Sequence, residues 1–275
     1  MSSLYLVATP IGNLEDITLR ALRILREVPL IAAEDTRTTR KLLTHHGIPA
    51  PRLTAYNERS RERQTPALLE ALERGDIALV SDAGMPGISD PGFHLVEAAI
   101  EAGHRIVPIP GASALTAAVA ASGLPSRRFN YLGFLPRKAA ERRKLLADIA
   151  LLPETLVLFE SPHRVRQTLA DLHQALGDRR VAVCRELTKL YEEIYRGALS
   201  EALARFAEPR GEFTLVIEGA GERSEKAASS DDIDALLREL KQRGVRARDA
   251  VRQVAELTGQ PHRGVYRRWL GLHDL

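Results

Sequence analysis

Cysteine is almost missing from this chain of 275 residues, since Cys184 is its one example. A single thiol forms no intramolecular disulfide and supplies no thiolate metal cluster. A small domain held together by disulfides, or by a metal ion bound to several cysteines, is therefore excluded. No apolar run reaches the roughly 20 residues that a membrane-spanning helix needs. The first residues also lack the basic and long apolar segments of a secretory signal. We therefore expect a cytoplasmic protein that does not enter the membrane.

Several familiar ligand motifs are absent as well. The sequence contains no glycine-rich dinucleotide fingerprint after a strand and no phosphate-binding P-loop. His45 and His46 are neighbours on a predicted helix and point in different directions, and no companion set of metal ligands accompanies them. The chain therefore carries no motif for a nicotinamide cofactor, for nucleoside triphosphate binding or for a metal ion.

Positive charge is small in total but unevenly distributed. The formal net charge is +3, yet residues 127–144 hold seven basic residues against one acidic residue, and residues 238–270 hold nine against three. Blocks of this kind attract polyanions. A solubilising surface is the alternative for either block alone. The two blocks together, the first interleaved with aromatic residues, favour binding to RNA or DNA.

The first part of the chain alternates between short apolar runs typical of buried strands and longer runs typical of helices. The predicted strands are 4–8, 30–33, 77–80 and 105–109, and the predicted helices are 19–28, 37–45, 64–74, 92–102 and 112–121. This alternation indicates a mostly parallel sheet with helices on both faces. We therefore place a first α/β domain at residues 1–122.

A second α/β domain is expected at residues 123–222, after a pause in the pattern. Its predicted strands are 129–134, 155–159, 180–186, 193–197 and 213–218, and its predicted helices are 139–150, 162–176 and 200–206. A polar segment at 221–230 leads to a small module at 231–275, where apolar residues at helical spacing predict three short basic helices. This module resembles a helix-turn-helix, and a helical tail that packs on the body or on a partner subunit is the alternative.

The segment 81–92, which reads Ser-Asp-Ala-Gly-Met-Pro-Gly-Ile-Ser-Asp-Pro-Gly, carries the strongest functional pattern. Its glycines permit unusual backbone angles and a close approach to a ligand. Asp82 places a negative charge at the carboxyl end of a strand, where open α/β sheets bind ligands. An acidic, glycine-rich loop suits a ligand that carries a positive charge and a ribose, as S-adenosylmethionine does. A tight structural loop is the alternative.

Two further loops follow predicted strands of the first domain. Residues 8–16, Ala-Thr-Pro-Ile-Gly-Asn-Leu-Glu-Asp, end a strand in a Pro/Gly turn, which is a weak signal alone. Residues 108–114, Pro-Ile-Pro-Gly-Ala-Ser-Ala, leave a strand and open a helix of small residues. Ser113 there is placed either to bind a ligand carboxylate or simply to cap the helix.

Taken together, the three loops resemble those of the tetrapyrrole methylase superfamily. The resemblance continues through residues 33–37, 159–164, 185–189, 192–193 and 211–218. It covers about residues 3–220, and the basic tail is similar to that of the members that methylate ribosomal RNA.

The resemblance implies two α/β domains of the class III methyltransferase type, with S-adenosylmethionine in the cleft between them. It also implies a homodimer. The implied reaction is methylation of a cytidine ribose 2′-hydroxyl in the decoding region of small-subunit (16S) ribosomal RNA, either naked or in the assembled subunit.

By the same resemblance, both domains contribute to the cofactor pocket. The residues are Pro10, Asp82, Ala83, Gly84, Met85 and Ser113 from the first domain, and Phe159, Glu160, Cys184, Thr214 and Leu215 from the second. Apolar Met85, Phe159 and Leu215 are expected to sandwich the adenine. Asp82 is expected to meet the ribose or the charged end of the cofactor.

Methyl transfer also requires a group that helps the hydroxyl to lose its proton. The catalytic candidates are Glu186, Lys189 and Asp35, with Glu34 as a further carboxylate. A partly desolvated Lys189 would have a lowered pKa and accept the proton, whereas the alternative that we favour is an ion pair with Glu186 or a phosphate contact. The residues expected to contact RNA are Arg37, Arg127, Arg128, Arg137, Lys138, His163 and Arg164.

Two other functions stay open at this point. A methyltransferase of the same superfamily that acts on a porphyrin or corrinoid precursor has a small polyanionic substrate and needs no basic helical module. A non-catalytic RNA-binding protein with a degenerate fold needs neither the intact glycine loops nor Asp82. The sequence therefore favours the ribosomal RNA methyltransferase.

Overall fold

The computed structural model describes residues 2–49, 51–220, 230–242, 245–258 and 262–271. The chain divides into two compact units. The first unit, residues 1–150 and 155–218, holds two β-sheets, and the second, residues 151–154 and 219–275, holds three helices. Among the described residues, none of the helices combines the length and the apolar character needed to pass through a bilayer.

The first sheet has five parallel strands in the order β3-β2-β4-β1-β5. The strands are β1 (Ser3–Val7), β2 (Leu30–Ala33), β3 (Arg52–Ala55), β4 (Ile77–Val80) and β5 (Arg105–Ile109). The helices that follow them in turn are α1 (Leu19–Glu27), α2 (Thr36–His45), α3 (Arg61–Arg74), α4 (Phe93–Glu101) and α5 (Ala114–Ser122). Because the strands are parallel, the loops after them lie along one edge of the sheet, the edge that binds ligands in open α/β proteins.

Alternate residues of the strands enter two separate apolar cores, because successive side chains of a strand point to opposite faces. In β4, Ala78 and Val80 pack with residues of α1 and α2, whereas Ile77 and Leu79 pack with residues of α3 and α4. Helices therefore cover both faces, as the sequence predicts, and the strand ends are left for a functional site.

Strand β3 is a part of this sheet that the sequence analysis missed. Its four residues, Arg-Leu-Thr-Ala, include no buried side chain, because β3 lies at the edge of the sheet. Buried strands are recognised by continuous apolar runs, which a short and exposed edge strand does not have.

The second sheet is mixed, in the order β6-β7-β10-β8-β9. Its strands are β6 (Phe129–Phe134), β7 (Thr155–Glu160), β8 (Arg180–Arg185), β9 (Glu193–Ala198) and β10 (Phe213–Ile217), and its helices are α6 (Ala139–Ile149), α7 (Pro162–Leu176) and α8 (Leu199–Arg205). Only β6 and β7 are parallel among the described pairs of this sheet. Helix α5 packs on one face, where Ala118 and Val119 join Val157, Ala182 and Val216.

The second unit contains the predicted three-helix module. Its helices are α9 (Ser230–Gln242), α10 (Ala247–Thr258) and α11 (His262–Gly271). Ile233, Leu237, Val254 and Val265 are buried together, so the apolar residues at helical spacing form a small core of their own. Most of the predicted polar segment at 221–230 lies outside the described residues.

Candidate active site

The three loops singled out in the sequence meet at the carboxyl edge of the first sheet. Thr9 and Gly84 form a bridge in which the amide of each donates to the carbonyl oxygen of the other, at 2.9 and 3.0 Å. The amide of Ala8 donates to the carbonyl oxygen of Ile109 at 3.2 Å, and a Cβ added to Gly111 would lie 3.0 Å from the Cβ of Ala8. The close approach of the loops explains why this edge is built from small residues.

The accessible residues of this edge include several that were expected to bind the cofactor. Asp82 and Ala83 are exposed and Met85 is half-buried, whereas Pro10 is buried. Ser113 occupies the position before α5, but its side chain makes no capping hydrogen bond. The capping alternative for Ser113 is therefore not realised, and its hydroxyl is available to a ligand.

A wall of the site comes from the second sheet. Phe159, Thr214 and Cys184 lie side by side across β7, β10 and β8. Cys184 packs with α5, and the ring of Phe159 makes edge contacts with Tyr131 and Phe134 at centroid distances of 5.2 and 5.9 Å. Burial raises the pKa of the Cys184 thiol to about 11, so this residue packs as a neutral group.

Two residues expected in the cofactor pocket direct their side chains elsewhere. Leu215 follows Thr214 in the strand, so its side chain lies on the opposite face from Phe159, where it is fully buried. The expected sandwich of adenine between Leu215 and Phe159 is therefore wrong. The buried carboxylate of Glu160 accepts hydrogen bonds from the amide of Ser161 at 2.8 Å and the hydroxyl of Thr168 at 2.7 Å, so it holds the start of α7.

The loops of the first sheet contact the second sheet at two places. The hydroxyls of Ser89 and Tyr131 are hydrogen-bonded at 2.5 Å. The amide of Asn13 donates to the hydroxyl of Thr188 at 3.1 Å, in the turn after β8. The two sheets are therefore in contact through the loops that follow β1 and β4.

Three carboxylates, Glu34, Asp82 and Asp90, gather at the ends of β2 and β4. The amide of Asp82 donates to Glu34 Oε2 at 3.0 Å, and the amide of Asp35 donates to Asp82 Oδ1 at 3.2 Å. Asp90, Glu34 and Ser89 line a cavity of about 610 Å³. Burial, reinforced by the charge of Glu34, raises the pKa of Asp82, and burial with the charges of Glu34 and Asp82 raises the pKa of Asp90 to about 7.

Asp90 is the titratable group that sequence reasoning passed over. It lies inside the 81–92 motif but was not singled out there. Its burial and its proximity to Glu34 arise because β2 and β4 are neighbours in the sheet. No local sequence pattern predicts that pairing. A carboxylate whose pKa is near 7 exchanges its proton near neutral pH, which is the property that a general base requires.

Lys189 is held by two carboxylates. Its Nζ lies 2.8 Å from Glu186 Oε1 and 2.9 Å from Glu212 Oε2. Burial alone would lower the pKa of Lys189, but these hydrogen bonds outweigh it and raise the pKa above its ordinary value. The hypothesis of a lysine base with a lowered pKa is therefore wrong, and the ion pair with Glu186 is confirmed.

Glu186 and Asp35 are also poorly suited to accept a proton. Burial raises the pKa of Glu186, but hydrogen bonds from Lys189 and from the amide of Glu212 bring it below its ordinary value. Asp35 precedes α2 and accepts hydrogen bonds from the Arg37 side chain and amide, which lower its pKa to about 2. These two residues therefore stabilise local structure and remain ionised at neutral pH.

Most of the residues expected to contact RNA are on the surface. The exposed ones are Arg37, Arg127, Arg128, Arg137, Lys138 and His163. Arg164 differs, because its Nη2 donates to the carbonyl oxygen of Leu135 at 2.8 Å and lies 3.5 Å from Glu160. Arg164 therefore holds the segment after β6, and its expected phosphate contact is not supported by this geometry.

Comparison with known proteins identifies the family and the fold of this chain. Residues 3–203 match the family described as Tetrapyrrole (Corrin/Porphyrin) Methylases, and residues 227–273 match the RsmI C-terminal HTH domain. The uroporphyrin-III C-methyl transferase of Thermus thermophilus, solved in complex with S-adenyl homocysteine, is similar at a TM-score of 0.55 and 22% identity, over 80% of this chain and 98% of that chain. This likeness shows the shared fold.

Two relatives are similar over nearly their whole length. Ribosomal RNA small subunit methyltransferase I of Halalkalibacterium halodurans is 48% identical over 270 residues, which covers 96% of this chain and 93% of that protein. The protein of the same name from Synechocystis is 49% identical over 270 residues and covers 97% and 96%. The chain belongs to the tetrapyrrole methylases and, among them, to the family of ribosomal RNA small subunit methyltransferase I. Methyltransferases of this family bind S-adenosylmethionine, which confirms the expected cofactor.

Proposed function

We propose that this protein transfers a methyl group from S-adenosylmethionine to the 2′-hydroxyl of a cytidine ribose in the decoding region of small-subunit ribosomal RNA. The observation that carries the proposal is the similarity, over almost the whole chain, to proteins named for methylation of that RNA. We further propose that it acts in the cytoplasm as a homodimer. In this proposal, residues 1–122 and 123–222 form the catalytic body and the basic module at 231–275 binds RNA.

The residues at the site fit the cofactor. Gly84 has a φ of +81°, in the left-handed region that favours glycine, so backbone rather than a side chain faces the space beside Ile11 and Ala112. Met85 and Phe159 offer apolar contact for the adenine, and the Ser113 hydroxyl is free of a capping role. The Asp82 carboxylate suits ribose hydroxyls or a positive charge. When bound, S-adenosylmethionine supplies an electrophilic methyl group on a sulfonium.

The remaining work of this protein is to orient the ribose, to exclude water and to accept a proton. Orientation comes from a site that two sheets hold at fixed positions. We assign the acceptance of the proton to Asp90 in place of Glu186, Lys189 and Asp35. Asp90 lines the cavity of about 610 Å³ together with Glu34. Its pKa of about 7 keeps an unprotonated fraction at neutral pH.

The test of the proposed function is transfer of tritium from labelled S-adenosylmethionine to small ribosomal subunits that lack the modification, followed by mapping. We expect label on the sugar of a cytidine in the decoding region. Label on a base would contradict the 2′-O assignment. If the subunits stay unlabelled while a porphyrin or corrinoid precursor, incubated separately with the same cofactor, is labelled, the tetrapyrrole alternative would replace the proposal.

Replacing Gly84 by alanine should weaken the binding of S-adenosylmethionine at least tenfold, a loss of about 1.4 kcal/mol. Among the residues that the structure describes, the added Cβ would meet only Ile11 Cγ2 at 3.7 Å and the Ala112 carbonyl oxygen at 3.9 Å, so there is room for it. Left-handed backbone at an alanine costs about 1–2 kcal/mol of stability. Calorimetric titration gives the affinity, and thermal unfolding gives the stability.

Gly103→Ala is the matched control for this change. Gly103 has a φ of +79°, and a Cβ there would meet no atom within 4 Å among the described residues. It lies in the turn between α4 and β5, at the opposite edge of the first sheet. The two variants should lose similar stability, and only Gly84→Ala should lose cofactor affinity. Equal cofactor affinity in both would remove residue 84 from the proposed pocket.

A further inference from the structure

Helix α2 presents a continuous basic face. Its ten residues, Thr36–His45, include no acidic residue. Arg37, Arg40 and Lys41 are exposed, whereas Leu42 and Leu43 are buried against the sheet. Because residues three and four apart on a helix are neighbours, the basic side chains share one outward face.

This face lines a groove that has a second wall. A cavity of about 580 Å³ is lined by Leu14, Arg37, Arg40, Lys41, Thr44 and His45. Leu14 belongs to the loop after β1, and His46 Nε2 lies 3.0 Å from the Leu14 carbonyl oxygen, a hydrogen bond that ties this loop to the end of α2. The groove is therefore shaped by two connected segments and is more than a solvated helix surface.

The positive charge in the groove is largely uncompensated. Arg37 forms an ion pair with Asp35 at 2.6 Å and is still mostly exposed. Neither Arg40 nor Lys41 forms an ion pair with another residue in the part of the chain that the structure describes. These two cations are therefore available to an anion from outside.

The groove begins next to the three carboxylates of the candidate active site. The residue before α2, Asp35, donates its amide to the Asp82 carboxylate, and α2 extends about 15 Å from that point. The carboxylates Glu34, Asp82 and Asp90 repel a polyanion, so a nucleic acid that reaches them needs cations close by to hold it. Arg40 and Lys41 are placed to supply that attraction.

We propose that the groove between α2 and Leu14 binds the phosphate backbone of the substrate RNA beside the target nucleotide, with Arg40 and Lys41 contacting phosphates. This inference rests on the proposed function and adds an RNA-binding surface outside the basic blocks at 127–144 and 238–270. A single strand is favoured as the occupant, because a row of cations along an open groove tracks a backbone. The half-exposed Leu14 offers an apolar contact to a base.

The experiment compares the double variant Arg40→Ala/Lys41→Ala with wild type. Binding of small ribosomal subunits and of naked small-subunit RNA is measured over a range of salt concentrations. Loss of two phosphate contacts at about 0.7 per contact should reduce the log-log salt slope by about 1.4, which corresponds to roughly 25-fold weaker binding at 0.1 M salt. The KM for RNA should rise, while kcat and cofactor affinity stay unchanged.

Arg52→Ala/Arg105→Ala is the matched control. Both arginines are exposed and are the first residues of β3 and β5. They therefore lie at the amino ends of the strands, whereas α2 begins at the carboxyl ends. This variant removes the same charge from the same domain and should bind RNA with the wild-type salt slope. Alanine favours helices, so the α2 variant is expected to fold.

The possible outcomes separate the groove from the function itself. A salt slope and affinity equal to wild type in the α2 variant would overturn the groove while methyl transfer by wild type still supports the proposed function. A loss of cofactor affinity in the α2 variant would also overturn it, because Arg40 and Lys41 would then support the cofactor pocket rather than contact RNA phosphates. Failure of wild type to bind or methylate either form of the RNA would refute the proposed function and the groove with it.

Discussion

Asp90→Asn is expected to lower the rate of methyl transfer by about 10²–10⁴-fold, the usual contribution of a positioned general base. Asparagine keeps the shape of the side chain and still accepts the hydrogen bond from Ser81, but it takes up no proton. S-adenosylmethionine should bind with unchanged affinity, because the loss affects the transfer step. Single-turnover rates with saturating cofactor and RNA measure the effect.

The pH dependence gives this prediction a second readout. Asp90 accepts a proton only when it is ionised, so the wild-type rate should rise with pH through about 7. That rise should be missing in Asp90→Asn and present in Glu101→Gln, a control at an exposed position on α4. If Asp90→Asn keeps both the wild-type rate and the increase of the rate with pH, another group accepts the proton.

The stability of Asp90→Asn should rise although its rate of methyl transfer falls. A lower rate in this variant is therefore not explained by unfolding. The pKa of Asp90 is raised from 3.8 to about 7 in the folded protein, so the folded state holds this proton more tightly than the unfolded chain does. The associated stability is fully present below pH 3.8 and is lost as the pH rises through about 7. Asparagine has no such dependence, so the variant should gain stability relative to wild type across that range.

Arg142→Ala is expected to lower the free energy of unfolding by about 3 kcal/mol, because it leaves the nearly buried Asp171 carboxylate without its cationic partner. Arg142 Nε donates to Asp171 Oδ2 at 2.6 Å, and its Nη1 donates to the carbonyl oxygens of Pro136 and Arg137 at 3.1 and 3.2 Å. The side chains of Arg142 and Asp171 are 9% and 11% exposed. Denaturant unfolding measures the loss.

Arg143→Ala, one residue further along α6, is the control for this change. Arg143 is exposed, so its replacement should alter stability by less than about 0.5 kcal/mol. Because Arg143 is a surface cation of the basic block at 127–144, its replacement by alanine should instead reduce the salt slope of RNA binding by about 0.7. A reduced slope in Arg142→Ala at unchanged stability would show that the buried assignment is wrong.

Local patterns were sufficient for most of the helices and strands. The predicted helix at 162–176 has the observed bounds, because Pro162 favours a first turn and Gly177, with a φ of +79°, ends the helix. Strand β3 escaped prediction because its four residues contain no continuous apolar run and its place in the sheet comes from its pairing with β2.

The site was predicted less completely, for physical reasons that differ from residue to residue. The pKa of Asp90 depends on Glu34, and the second ion pair of Lys189 is with Glu212, so both features depend on contacts between distant parts of the sequence. The error at Leu215 was avoidable, because adjacent residues of one strand cannot both face the same cleft. Thr214 and Leu215 had therefore to be assigned to opposite faces.

Helix α5 sets a mechanical limit on how substrate is admitted. It starts beside Ser113 at the first sheet, and its buried Ala118 and Val119 are embedded in the core of the second sheet. A hinge motion that separated the sheets would expose this core to water. We therefore expect the two sheets to keep their spacing during the reaction, so that the substrate changes its own conformation to reach the site.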